Sequence, residues 1–468
     1  MTNTFKTVST LAAFAATCSA LCAADPEISA VSMSWDAAAR EATITYALSG
    51  APAVVTLDIV DGSGDSIGGQ YIGASVDGDV FRKVAADGTH TIAWHPATGT
   101  DALPSGGVRA VVTAWPLDDT PPYMVVSLAK EAAADEADRI RYYPAEDFLP
   151  GGLLDNREYK SVKLVMRKVE AKDVEWQMGS SAEERAKVSG WTMPANETNH
   201  VVTLTNNYYL AVFETTHAQH VAITGGTKPP VADNSNFAVE WGDRPVEQAY
   251  YFDVRGNTQW PAAPAASSVL GKLRARTGLD FDLPSEAEWE YSCRAGHGEG
   301  VWGDGTAYAF SKRYVKHYNG AGANDWNGDC WFQVTMPGRG IANGGLTDMN
   351  GGWSYQEVAR ATATRDAGTA VVGSYAPNSW GLYDMHGNVS EMTLDWYKDD
   401  ISALNGAVCQ DSSSGSRVLK GGSFRSYGRN GDANCRAASR IPQSYKGSTA
   451  DMYVYENGYR LCCRGGLR

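Results

Sequence analysis

The chain has 468 residues and a formal charge of -14, from 54 acidic against 40 basic side chains. That balance excludes a nucleic-acid partner, since phosphate binding needs a basic footprint, while the length leaves room for two or three domains. The 49 Gly, 14 Trp and 23 Tyr predict a loop-rich fold stapled by aromatic rings rather than a helical bundle.

The first residues read as an export leader. Lys6 gives a weak positive start, Val8 to Leu21 is apolar and Ala-rich, and small residues follow at Ala23 and Ala24. Cleavage after Ala24 would leave Asp25 as the first mature residue, in the periplasm or outside the cell. A lipid anchor on Cys18 or Cys22 is the alternative, although the residues before each make a poor lipobox. No later run reaches the ~18 apolar residues of a membrane span. Of eight cysteines, two fall in the leader, which leaves Cys293, Cys330, Cys409, Cys435, Cys462 and Cys463. An even number in an oxidising compartment favours disulfides, and the sequence does not choose among their pairings. None has the C-x-x-C spacing of a zinc site. The adjacent Cys462 and Cys463 point to opposite faces if they lie on a strand.

Residues 25–118 read as all-β. Ile44, Tyr46 and Leu48 alternate with Thr43 and Thr45, and Val54 to Val60 and Val108 to Trp115 are β-branched runs. Turn clusters at Asp61 to Asp65, Asp77 to Asp79 and Pro104 to Gly107 separate them. This spacing predicts a β-sandwich of immunoglobulin or fibronectin type, a spacer or adhesion module with no catalytic signature. Residues 119–157 read as a connector, with Pro121, Pro122, Pro144 and Pro150 as breakers and a polar stretch from Lys130 to Arg139 as a short helix.

A second domain runs over 158–468. Val174 to Gly179 is a strand and turn, and Asn199 to Thr205 and Tyr208 to Val212 are expected to pair around Asn206-Asn207. A helix is expected over Ser268 to Thr277, ended by Gly278. Another starts at Ser285, where Glu288 completes a capping box and Trp289 faces the core. The rest is mostly loop with short strands.

Five segments stand out: Leu283 to Tyr291 (LPSEAEWEY), Asn378 to Trp396 (NSWGLYDMHGNVSEMTLDW), Val418 to Arg425 (VLKGGSFR), Cys435 to Arg440 (CRAASR) and Asn457 to Leu461 (NGYRL). In this order they resemble the formylglycine-generating enzyme family, of the sulfatase-modifying factor type. The resemblance implies a compact, loop-dominated, C-type-lectin-like α+β fold for 158–468, behind the N-terminal β-sandwich. It also implies a calcium ion held by side-chain oxygens of Asp384 and Glu391 and main-chain carbonyls of Gly387 and Val389, with a loosely aligned second calcium site at Asn319. Hard, flexible oxygen donors suit calcium. The residue-level alternative is a pair of solvated loop acids, or Glu391 paired with an arginine.

Active members of the family resembled hold copper between two thiolates that follow the Gly-Gly-Ser-aromatic turn, and soft Cu(I) selects such ligands. Here the turn is Gly421-Gly-Ser423-Phe424, and the two thiol positions are Ser426 and Gly431. Neither supplies a thiolate, so copper is not expected, although Ser423 is kept. Ser390 replaces the aromatic that usually precedes the calcium-site glutamate. Cys435 falls at a structural position.

Two further groups carry ambiguous chemistry. Glu214, His217 and His220 have spacing for a metal site on one helix face, or the histidines are partly exposed helix residues. Arg425, Arg429, Arg436, Arg440 and Arg460 could floor an anion pocket, or bridge loops to carbonyls and to acids such as Glu288 and Glu290. The favoured function is an exported, non-oxidising, calcium-stabilised module that binds an extracellular peptide or small ligand. The alternatives are a metal-dependent oxidase converting a sulfatase cysteine to formylglycine, with Cys435, Cys462, Cys463 or the His217/His220 pair as ligands, and an inert surface scaffold.

Overall fold

The computed structural model describes residues 24–96, 107–128, 139–180, 195–226, 241–296, 369, 371–374, 377–423, 436–444 and 457–465. The leader over 1–23, the expected helix after Lys130, Asn319, Cys330, Ser426, Gly431 and Cys435 lie outside these residues. No helix among the described residues is long and apolar enough to cross a membrane.

Seven strands come first: β1 Glu27–Asp36, β2 Glu41–Ser49, β3 Ala53–Val60, β4 Val76–Gly78, β5 Arg82–Val84, β6 Gly88–Trp94 and β7 Arg109–Pro116. They form a four-stranded sheet, β1-β2-β6-β4, and a three-stranded sheet, β5-β3-β7. The alternation expected in β2 is realised: Ala42, Ile44, Tyr46 and Leu48 point inward and meet Ala53, Val55, Leu57 and Ile59 of β3 in one apolar cluster. β3 is buried on both faces, because Val54 on its other side joins a second cluster with Met124 and Val126. A strand covered on both sides reads as a near-continuous apolar run, here interrupted by Thr56 and Asp58.

The connector expectation needs correction. β8, Tyr123–Ser127, and β9, Ile140–Tyr143, are strands of the central sheet. The β-branched and aromatic residues Tyr123, Val125 and Val126 explain this; the prolines beside them only set where the strand begins. Then come β10 Lys163–Val169, β11 Glu175–Met178, β12 His200–Thr203, β13 Tyr208–Ala211, α1 His217–Thr224, α2 Tyr251–Arg255, α3 Val269–Thr277, β14 Asp280–Asp282 and α4 Glu286–Cys293. The last strands are β15 Ser390–Trp396, β16 Ser416–Lys420, β17 Ile441–Ser444, β18 Asn457–Gly458 and β19 Cys462–Arg464. The central six-stranded sheet has the order β14-β19-β13-β10-β8-β9, and a second sheet has the order β17-β16-β15-β18. The result is mixed β-sheet with few helices.

β8 also joins the two halves of the chain. Tyr123 and Val125 sit in the cluster shared with β2 and β3, while Met124 and Val126 face the second cluster. Asp147 accepts from the Gly69 N–H at 2.7 Å, and Tyr142 N–H donates to the Phe81 carbonyl at 2.8 Å. The expected pairing around Asn206-Asn207 does not form. β12 pairs with β11, whereas β13 lies between β10 and β19. Asn207 Oδ1 instead accepts from the Ala171 and Lys172 N–H groups, which carries the chain from one sheet to the other.

Both expected helices form. α3 is capped by Ser268 and ends on left-handed Gly278. α4 has the full capping box, with Glu288 N–H to Ser285 Oγ at 3.1 Å and Ser285 N–H to Glu288 Oε2 at 2.7 Å. Trp289 is fully buried.

Candidate functional site

The segment from Asn378 to Trp396 is anchored from both ends. Asn378 Oδ1 accepts from the Trp380 and Leu382 N–H groups, while its Nδ2 donates to the Ser292 and Cys293 carbonyls at the end of α4. Asp384 and Asn388 take left-handed conformations, with φ of 57° and 63°, as short polar side chains tolerate. Gly387 N–H donates to the Gly421 carbonyl at 2.7 Å, so this loop clasps the Gly-Gly-Ser turn. Gly421 is required there: its φ is +83°, and an added Cβ would lie 3.0 Å from the Trp289 ring.

Under this clasp lies a buried charged network. Arg460, fully buried, grips Glu391 with Nε at 3.0 and 3.1 Å and Nη2 at 2.7 Å. Its remaining donors reach the carbonyls of Ala211, Val212 and Tyr383. Trp289 Nε1 gives Glu391 a further bond at 2.6 Å. Glu214, also fully buried, accepts from Asn388 Nδ2 at 2.6 Å and from the Val389 N–H at 3.0 Å. Burial first, and the nearby Asp384 and Glu391 carboxylates second, push its acid group well above the usual carboxylate range. Asp384 Oδ2 accepts from the Gly373 N–H at 2.7 Å.

Asp384, Glu391 and the raised Glu214 gather around one guanidinium, and the neighbouring main-chain carbonyls add hard oxygen donors of the kind calcium takes. Glu391 itself does not fit as a ligand, because Arg460 and Trp289 occupy its carboxylate; pairing with an arginine is what the geometry supports. Asp384 and the carbonyls of Gly387 and Val389 would hold such an ion. No group of three or more His, Cys, Asp and Glu side chains arranged to hold a metal occurs among the described residues.

The Glu214, His217 and His220 set does not assemble. Glu214 turns toward the 388–389 loop, whereas the histidines start α1. Both histidines are buried rather than partly exposed. His220 Nδ1 lies 3.0 Å from Tyr459 Oη. Burial first, then the Lys272 ammonium, pull its pKa down to about 4. The helix start has its own capping box, Thr216 with Gln219. That Thr-x-x-Gln signal stands in the sequence beside the histidines.

The arginines are structural wherever they are described. Arg436 pairs with Glu197 at 2.8 Å, and Arg440 with Glu286 at 2.5 Å; Arg425 and Arg429 fall outside the described residues. Glu288 is held by Arg464, and Glu290 by Arg294 and Lys420. Burial alone would raise Glu290, but Lys420 and Arg294 outweigh it and hold the group down at about 2.

Among the described residues the expected disulfides do not form, while Cys330 and Cys435 lie outside them. Cys293, Cys409, Cys462 and Cys463 are all buried free thiols. Cys462 and Cys463 do face opposite ways, Cys462 toward Tyr208 and Cys293 and Cys463 toward Tyr209 and Phe281, and so enter different clusters. Cys293 Sγ sits 3.5 Å from His386 Nε2. Burial pushes the Cys293 and Cys462 thiols well up and Cys463 to about 12, which disfavours thiolate chemistry at all three. At the reaction-centre positions, Ser423 is fully buried.

Clasped loops on a charged, aromatic-lined core of mixed sheet thus define the class of domain. The family model for the sulfatase-modifying factor enzyme 1-like domain matches residues 175–462, and the chain belongs to that family. It is similar to the formylglycine-generating enzyme of Bos taurus, 34% identical over 145 residues, covering 30% of this chain and 29% of that protein. With the formylglycine-generating enzyme of Thermomonospora curvata it shares 30% identity over 173 residues, covering 36% and 43% of the two chains. The alignments thus span less than half the length of these relatives. Among solved structures, PvdO from Pseudomonas aeruginosa superposes with a TM-score of 0.42 at 18% identity, covering 64% of this chain and 94% of that one. Treponema denticola variable protein 1 gives 0.38 at 20% identity, covering 65% and 96%.

Proposed function

We propose that this protein is a non-oxidising member of its family, which uses the domain as a rigid scaffold to bind an extracellular peptide or small ligand. The observation that carries the reading is the pair Ser426 and Gly431, where two thiolates would have to stand for copper. Those residues do not fit the metal. The raised thiols of Cys293, Cys462 and Cys463 support the same reading. Co-expression with a Cys-x-Pro-x-Arg peptide tests it: the peptide mass should stay that of cysteine, and conversion to the aldehyde would overturn the proposal. The names of the relatives favour the second reading, an oxidase that makes formylglycine.

The ligand-binding reading extends to the rest of the chain. The two N-terminal sheets, sharing one core, are proposed as an immunoglobulin-like sandwich that spaces the domain, and the leader as its export signal. Calcium is proposed beside Asp384, with the Gly387 and Val389 carbonyls and without Glu391. Its test is thermal: added calcium should raise the melting temperature of wild type and leave Asp384→Ala unmoved.

A further inference from the structure

We propose that the cleft between Trp260 and Trp396 is a carbohydrate site, taking a neutral mono- or disaccharide. The cleft holds about 500 Å³ and is lined by Gln259, Trp260, Trp396, Gln410, Ser412 and Ser444, with a glycine between the last two serines. Of these lining residues none is charged. That argues against phosphates, carboxylates and ammonium groups, each of which needs an opposite charge where it is desolvated. The lining offers two things instead. Indole rings present flat apolar faces, and amides and hydroxyls both donate and accept hydrogen bonds. A sugar is the small ligand that needs both: its C–H faces stack on rings, and each hydroxyl is donor and acceptor at once. The volume lies within the ordinary range for small-ligand sites.

The lining is held from behind by buried charges. Arg417 places its Cζ 3.7 Å from the Trp396 ring centroid and 4.2 Å from that of Tyr251, and donates to Gln259 Oε1. Arg464, paired with Glu288, lies over Trp260 at 5.2 Å. Arg255 Nη2 donates to the Ala262 carbonyl at 2.5 Å, which fixes the turn after Trp260. On the opposite wall, Asp395 accepts from the Cys409 N–H at 2.7 Å, and the Trp396 N–H donates to the Cys409 carbonyl at 2.9 Å. Gln410 is thereby presented next to Trp396. Each wall is set before a ligand arrives, which lowers the ordering cost of binding. The guanidiniums of Arg417 and Arg464 lie over these two rings, and such cation–π contact fixes ring orientation. The neighbouring cleft of about 630 Å³ differs: Asp399, Asp400 and His200 line it.

The site does not depend on the state of the reaction centre, because it is built from other residues. A sugar cleft would stand if the chain proved to be an oxidase, and a silent reaction centre would stand without a sugar cleft. Saturation-transfer NMR on the full chain with cellobiose, maltose, lactose and chitobiose is the test. At least one should receive saturation, with a Kd in the range of about 0.1–10 mM. Trp260→Ala and Gln410→Ala should weaken that probe at least about tenfold, and Asp400→Asn, in the neighbouring cleft, should leave it unchanged. Gln410 is exposed, so its variant keeps the wild-type melting temperature and decides the matter if Trp260→Ala fails to fold. The proposal is overturned by no transfer to any of the four probes, or by transfer that survives Gln410→Ala. It is also overturned if only a Cys-x-Pro-x-Arg peptide responds and Gln410→Ala abolishes that response.

Discussion

Replacing Arg460 with Met should be among the most damaging single changes in this protein. The guanidinium makes three contacts to Glu391 and bonds three main-chain carbonyls, all without solvent. Methionine fills similar space, so little of the loss comes from a cavity. Removing one partner of a buried pair leaves the other uncompensated, at a cost of about 3–5 kcal/mol. Here Glu391 would be left near the Asp384 carboxylate with no guanidinium beside them, so the upper half of that range applies. For a domain of this size, about 4 kcal/mol corresponds to roughly a 10 °C fall in melting temperature. Glu391→Gln should cost less, because the Asp384 carboxylate still lies near Arg460. The double variant should recover about 2 kcal/mol relative to the sum of the singles. Urea unfolding of the four proteins measures the cycle. A loss below about 1 kcal/mol for Arg460→Met, or strict additivity, would refute the account of this network.

Other consequences are checked more simply. Ser285→Ala removes the cap of α4 and should cost about 1 kcal/mol in urea unfolding, with Ser285→Asp retaining most of it. Gly421→Ala demands a left-handed alanine and pushes into Trp289, so it should destabilise by about 2 kcal/mol or more; Gly415→Ala is the control for left-handed strain alone, since open space surrounds that position. Asp395 is pushed up to about 7, by burial first and then by the Glu286 carboxylate. Its folded pKa exceeds its unfolded value, so its contribution is fully present below the ordinary 3.8 and is lost as pH rises toward about 7. Asp395→Asn should flatten that fall in urea midpoints measured across the window. Thiol titration of the native protein should leave Cys293, Cys462 and Cys463 unreactive, and denaturant should expose all three; prompt labelling of any of them in the native state would contradict their burial.

Local signals were legible in the sequence because they act over a few residues. The Ser285 and Glu288 box, the Gly278 stop, the alternation in β2 and the opposed faces of Cys462 and Cys463 all follow from helix and strand periods. What the sequence hid was pairing at a distance. Glu214 meets Asn388 across 174 positions, and Arg460 meets Glu391 across 69; nothing local indicates which charge finds which. β8 was concealed by the prolines before it; β12 was legible as a strand, but its nearness in sequence to β13 suggested the wrong partner, since the two belong to different sheets. The Trp260 and Trp396 cleft brings together residues far apart in the chain, none with a motif of its own. The family pattern marks these segments, but a resemblance does not reveal that the Arg460 guanidinium already pairs with Glu391, the glutamate expected to bind calcium.

Copper retention decides the central claim most directly. The purified full chain is loaded with one equivalent of Cu(I), dialysed against a Cu(I) chelator and assayed for metal. With serine and glycine at the two pincer positions, the protein should come through empty. One equivalent of copper still bound after dialysis would show a pair of soft ligands that this account does not contain, and the oxidase reading would replace it.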